Sequence, residues 1–244
     1  MKRASLTLGF AVLLLSVGSL QAPTVDGAWV AFSCQGGVEG CQPASVSQQV
    51  EVASPRGRPQ EMTLDEGQTI VLDRGALTVL HHGEEVWSSD PSWDVRQLLL
   101  ADVNNDGQQE VAFVLWKPFR LEPAIIYDTF KFPSLWEEGS LRNHLFIYGW
   151  RDGAWRHLWC SSPVADPIVE LAAADVDGDG ASELVVLEGS YEMPDAPASH
   201  VSVWRWSGWG FTLQWRSPGG LWDHLVLRDV TDDGVIDILV RGAG

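Results

Sequence analysis

Three observations predict an all-β fold for this chain of 244 residues. A unit of roughly forty residues recurs three times, over residues 77–116, 145–189 and 201–242. Each copy reads as four short strands, and each carries one acidic loop of a common design. Sequential antiparallel strands at this period mark the blades of a propeller. The expected fold is therefore a small or incomplete β-propeller of four-stranded antiparallel blades, with three clear repeats and a degenerate N-terminal blade.

The strands follow from apolar alternation. Each unit opens on an alternating run, Leu77–Leu80, Leu145–Tyr148 or Val201–Trp204, followed by a Gly-containing turn. A second strand ends in Trp-x-Ser, at Trp87–Ser89, Trp159–Ser161 and Trp215–Ser217. A third leads into the acidic loop (96–101, 169–174, 224–228), and a fourth leaves it (111–115, 184–187, 238–240). The recurrent Trp87, Trp159 and Trp215 are expected between neighbouring sheets. Residues 28–76 lack an acidic loop but hold strand-like pieces, Gln48–Val52 and Thr69–Leu72, and are read as the degenerate blade plus a disulfide-clipped loop. A ring needs more than three blades, which is why a fourth is sought there.

The loops carry the chemistry. They run Asp102 to Glu110, Asp175 to Glu183 and Asp229 to Asp237, with oxygen-bearing side chains at positions 1, 3, 5 and 9 and Gly at position 6. The first offers Asp102, Asn104, Asp106 and Glu110, and the second Asp175, Asp177, Asp179 and Glu183. The third offers Asp229, Thr231, Asp233 and Asp237. Position 7 varies freely (Gln108, Ala181, Val235) and would supply its backbone carbonyl. Hard cations such as Ca²⁺ take six to eight oxygens, so up to three Ca²⁺ ions are expected. An EF-hand is excluded, because its bidentate Glu at position 12 is here Phe113, Val186 or Val240, and strands rather than helices follow. Asp-x-Asn-x-Asp-Gly is also good turn chemistry without a metal. Three copies and the mutual repulsion of converging carboxylates favour the cation.

The units resemble the FG-GAP or VCBS-type repeats of integrin-like β-propellers, whose blades carry Asp-x-Asp-x-Asp-Gly-x-x-Asp/Glu calcium loops. The resemblance runs from Leu77 to the C-terminus. It implies a propeller whose strand-connecting loops hold calcium. The Phe-Gly and Gly-Ala-Pro elements that name the family are not evident, so no integrin-type ligand site follows.

Composition bounds the partners. A net charge of −17 argues against nucleic acid and anionic membranes. Residues 1–27 read as a signal peptide, with Lys2 and Arg3 before an apolar stretch from Leu6 to Leu20. Pro23 disfavours cleavage after Ala22, Val25-Asp-Gly27 offers a second small-residue site, and an uncleaved membrane anchor is the alternative. The expected location is extracytoplasmic: secreted, periplasmic or at the cell surface. Cys34 and Cys41 are expected to pair, leaving Cys160 near the surface. The apolar insertion 117–142 is expected to pack against the propeller, with a partner-binding lid as the alternative. Segment 190–200, rich in Pro and Ala, is read as plain surface, and His81-His82 as solvated.

No nucleophile elbow, zinc motif, P-loop or dinucleotide fingerprint is present, and no catalytic residue is assigned. The expected function is a secreted, calcium-stabilised binding or scaffold module with a protein or carbohydrate ligand. The alternative is a secreted hydrolase or lyase on the same fold, which needs a pocket with convergent carboxylates or histidines outside the loops.

Overall fold

A computed structural model describes residues 28–44, 60–64, 67–119 and 139–243. The signal segment, the expected strand Gln48–Val52 and residues 120–138 of the insertion lie outside them.

The described residues form sixteen strands in four four-stranded antiparallel sheets. The first sheet holds β3 (Gln60–Thr63), β4 (Gln68–Asp73), β5 (Ala76–His81) and β6 (Glu84–Ser88). The second holds β7 (Asp94–Ala101), β8 (Glu110–Pro118), β9 (Leu141–Arg151) and β10 (Ala154–Cys160). The third holds β11 (Ile168–Ala174), β12 (Glu183–Glu188), β13 (His200–Trp206) and β14 (Phe211–Arg216). The fourth is built from both ends of the chain. Its β15 (Trp222–Arg228) and β16 (Asp237–Gly242) are continued by β1 (Trp29–Ser33) and β2 (Gln42–Ala44).

Every strand expected in the three repeats is present, but the sheets are cut half a unit out of phase with the repeat. The sequence unit 77–116 contributes β5 and β6 to the first sheet and β7 and β8 to the second. Each acidic loop therefore joins the first and second strands of a sheet, not the third and fourth. Hydrogen bonding decides this, because β8 pairs with β9 across Glu110↔Gly149 to Pro118↔Leu141. The N-terminal region divides likewise, with β1 and β2 completing the fourth sheet and β3 and β4 the first.

The Trp-x-Ser signature has a structural role. The Ser89, Ser161 and Ser217 hydroxyls accept the amides of Leu77, Leu145 and Val201, each at 3.0 Å. The same serines donate their amides back to the carbonyls of those residues at 2.8–2.9 Å. In the first three sheets the pairing of the last two strands also carries a register shift, at Val79/Leu80, His157/Trp159 and Val203/Trp204. A bulge of this kind bends the strand and increases its twist.

Hydrophobic clusters fill three sheet junctions. Ile70, Leu77 and Val79 meet Val111, Phe113 and Leu115 between the first and second sheets. Ala112, Leu145 and Ile147 meet Leu184 and Val186 between the second and third. Val185, Leu187 and Val203 meet Phe32, Trp222 and Ile238 between the third and fourth. Trp87, Trp159 and Trp215 are half-buried at these three junctions in turn, so the expected placement holds. A fourth cluster, Ala31, Val230 and Leu239, lies on the remaining face of the fourth sheet and, among the described residues, includes none of the first.

Cys34 and Cys41 form a disulfide that clips the β1–β2 connection and joins the third junction, while Cys160 is free and exposed. The ends of the 117–142 insertion are strand, with Lys117 and Pro118 paired to Arg142 and Leu141. Segment 190–200 is not plain surface. The Tyr191 hydroxyl donates to the Val164 carbonyl and accepts the Asn143 amide, and buried Ala198 bridges Trp222. His81 stacks on Trp150 at 4.7 Å. In both cases an aromatic partner distant in sequence supplies the burial.

If β1 is an integral strand, Phe32→Ala, which removes a ring packed on Trp215 at 5.1 Å, should cost about 3–5 kcal/mol. Phe113→Ala in the second sheet should cost the same. Denaturant melts compare the two, and a Phe32 penalty below about 1 kcal/mol would mean that β1 is not part of the core.

Candidate metal centres

The three acidic loops fold on one hydrogen-bond scaffold. The position-1 aspartate accepts the amide of the position-6 glycine, as Asp102–Gly107 at 2.8 Å, Asp175–Gly180 at 2.8 Å and Asp229–Gly234 at 2.9 Å. The position-5 aspartate accepts the amide two residues on, as Asp106–Gln108, Asp179–Ala181 and Asp233–Val235, each at 2.9 Å. Position 4 takes positive φ (Asn105 59°, Gly178 79°, Asp232 59°), as does the glycine at position 6 (85°, 89°, 87°). Two left-handed residues turn the chain tightly enough for its alternate side chains to converge, and a β-branched residue at either place would be strained.

The position-9 acid anchors the loop. Glu110, Glu183 and Asp237 are 0 % exposed and open β8, β12 and β16. Each accepts the position-2 amide, from Val103 at 3.0 Å, Val176 at 3.2 Å and Val230 at 2.9 Å. Those valines are themselves buried in the clusters beneath.

Carboxylate oxygens converge in two loops. Ligand oxygens of Asp102, Asp106 and Glu110 lie within 4.8 Å of one another, as do those of Asp175, Asp177 and Glu183. Asn104 bonds Asp106 through its Nδ2 at 3.1 Å, which places it beside the first group. Asp179 is turned to Arg205 instead. In the third loop Asp229, Asp233 and Asp237 do not form such a group, and the Thr231 hydroxyl donates to Asp237 at 3.1 Å. Gln108, Ala181 and Val235 lie at the backbone turn the scaffold defines, where a position-7 carbonyl is expected to contribute.

Two arginines that the sequence reading did not single out reach the first two loops from the adjoining strand. Arg151 of β9 pairs with Glu110 and, at 3.2 Å, with Asp106. Arg205 of β13 pairs with Asp179 and lies 3.6 Å from Glu183 and 3.8 Å from Asp177. Strand pairing alone brings them there, and no motif in the loops announces them.

The charge is still not satisfied. Glu183 Oε1 and Asp237 Oδ1 are buried without a hydrogen-bond partner. Burial, and then repulsion from Asp106, pushes Glu110 up to about 7. Burial likewise pushes Glu183 up to about 7, with Asp177 and Asp179 adding to it. Asp179 is held below its ordinary range, chiefly by its bond to Arg205. An uncompensated buried carboxylate is costly, and a divalent cation is the group that would ionise it. The donors are all oxygens, which suits a hard cation.

Outside the loops, a cavity of about 480 Å³ opens at the strand ends remote from them, between Arg96, Gln97, Trp116, Ile168 and Asp195. Its carboxylates are Asp73, paired with Arg74, and Asp195, and no histidine lines it. It does not supply the convergent acids that the hydrolase alternative needs. No helix among the described residues is long and apolar enough to cross a membrane. No family model matches this chain, and no curated protein matches it.

With folded values raised above the ordinary 4.5, Glu110 and Glu183 favour their protonated forms in the cation-free protein. Their stability contribution is full below about pH 4.5 and is lost as the pH rises through about 7. Melting in EDTA should therefore fall between pH 5 and 8, and Glu110→Gln/Glu183→Gln should flatten that fall. An equal slope in the double variant would contradict the assignment.

Proposed function

We propose that this chain is a calcium-binding β-propeller of four blades, resembling the FG-GAP/VCBS repeat proteins, that acts outside the cytoplasm as a non-catalytic binding or scaffold module. The ring is supported by three successive sheet junctions and by a fourth sheet assembled from both chain ends. Such a shared sheet gives the chain a closing seam.

The observation that carries the calcium reading is the buried carboxylate oxygen at position 9 that receives no hydrogen bond, on Glu183 and Asp237, within a scaffold repeated three times. Asp102, Asn104, Asp106 and Glu110 would hold one ion, with the Gln108 carbonyl. Asp175, Asp177, Asp179 and Glu183 would hold a second, with the Ala181 carbonyl, and Asp229, Thr231, Asp233 and Asp237 a third, with that of Val235. The ion supplies positive charge that lets the buried acid ionise and ties together a turn with few apolar contacts. Arg151 and Arg205 compete for the same oxygens and weaken binding at the first two loops.

Millimolar extracellular calcium would fill weak sites of this kind, and the Cys34–Cys41 bridge fits an oxidising compartment. The N-terminal apolar stretch supplies the export signal in this reading. A protein or carbohydrate ligand fits an acidic surface better than nucleic acid does.

Chelation should lower the melting temperature substantially, with calcium but not sodium restoring it; an unchanged melt in EDTA would remove calcium from the account. Calorimetry should find up to three sites, the tightest at 175–183, where four carboxylates can act once the cation draws Asp179 from Arg205. Asp177→Asn should weaken that step about tenfold, on the dependence of affinity on ligand charge. Asn104→Asp and Thr231→Asp should each strengthen a weaker step. A tightest step unmoved by Asp177→Asn would overturn the ordering.

A further inference from the structure

The first two acidic loops touch through one side chain. Asn105, fourth in the first loop, donates from Nδ2 to the Ser182 carbonyl at 3.2 Å and accepts the Ser182 amide on Oδ1 at 2.7 Å. A carboxamide matches a peptide unit donor for acceptor, so a single side chain satisfies both groups of one residue in the neighbouring loop. The position of each end matters. Asn105 lies between Asn104 and Asp106, and Ser182 lies between Ala181 and Glu183. The bridge thus clamps each loop next to two of its candidate ligands.

Asn105 is exposed and Ser182 half-buried, and a neutral hydrogen bond open to water adds little net stability. What the bridge transmits is position. The corresponding contact of the second loop with the third is different in kind. Gly178 faces Val235, whose methyl would lie 3.3 Å from a side-chain carbon added there, and among the described residues no hydrogen bond between these two loops accompanies that approach.

We propose that cation occupancy of the first and second loops is positively coupled, with Asn105 the positioning residue that couples them; this rests on the calcium reading above. A cation in the first loop fixes residues 104–106 and with them the Asn105 carboxamide. The peptide of Ser182 is then already anchored when the second cation arrives, and less ordering entropy remains to be lost there. The effect is reciprocal, as any coupling of binding free energies must be. The third loop, lacking the bridge, binds independently.

The test is a calcium titration of the full chain followed by NMR, with the amides of Gly107, Gly180 and Gly234 as separate reporters of the three loops. Glu183→Gln disables the second loop, and Asn105→Gly removes the bridge while still accommodating the positive φ of 59°. With Asn105 present, Glu183→Gln should weaken calcium at the first loop about fivefold, the low end of the usual coupling range. With Asn105→Gly the same change should alter first-loop affinity by less than about twofold. The third loop should respond to neither. Exchange of the Ser182 amide adds a readout that simple stabilisation would not produce. In Glu183→Gln, calcium should slow it only when Asn105 is present. Equal weakening in both backgrounds overturns the coupling and leaves the calcium reading intact, whereas wild-type protein whose three reporters and melting temperature all ignore calcium overturns both.

Discussion

The structure turns on three carboxylates buried at the start of a strand. Glu110, Glu183 and Asp237 are each drawn inside because the residues that follow, such as Val111, Leu184 and Ile238, belong to sheet cores. Each acid closes its loop by accepting the amide of a valine that is itself plugged into a hydrophobic cluster. Core packing thus fixes both ends of the loop, and in the first two loops it leaves carboxylate oxygens converging on one point. Charge concentrated in this way needs a counter-charge. Arg151 and Arg205 provide part of it in two loops, whereas in the third Asp237 accepts the amides of Val230 and Thr231 and the Thr231 hydroxyl.

The loops also sit where the sheets meet. Val103 belongs to the cluster between the second and third sheets, and Val176 to that between the third and fourth. Adjacent loops are therefore neighbours in space, and the Asn105–Ser182 bridge is a consequence of stacking one sheet on the next. Local turn chemistry, sheet packing and charge are three views of a single arrangement. At the opposite strand ends, Tyr191 docks on the second sheet, and Arg142 lies over its ring at 4.8 Å. That end is held by aromatic and backbone contacts instead of acidic turns.

The offset between sequence repeat and sheet has a physical reading. A unit that contributes two strands to one sheet and two to the next cannot bury its apolar residues without its neighbours. The last unit then needs strands from elsewhere. β1 supplies them by pairing with β16 from Trp29↔Arg241 to Phe32↔Ile238, so the first and last described strands meet in one sheet. The Cys34–Cys41 bridge stiffens the turn that carries β2 into that sheet.

The sequence by itself determined the strands, the loops and the junction tryptophans, because each depends on short-range pattern. Alternation marks a strand wherever it falls, and the spacing of Asp and Gly sets a turn without reference to the rest of the chain. Which strands share a sheet was decided only in three dimensions, since hydrogen-bond partners across a hairpin look alike from either side in sequence. The same holds for Arg151 and Arg205, placed by strand register beside acids 41 and 22 residues away, and for Tyr191, which reads as loop until Asn143 and Val164 are brought to it. Chemistry held within nine consecutive residues could be read directly, while chemistry that needs a second strand had to wait for the fold.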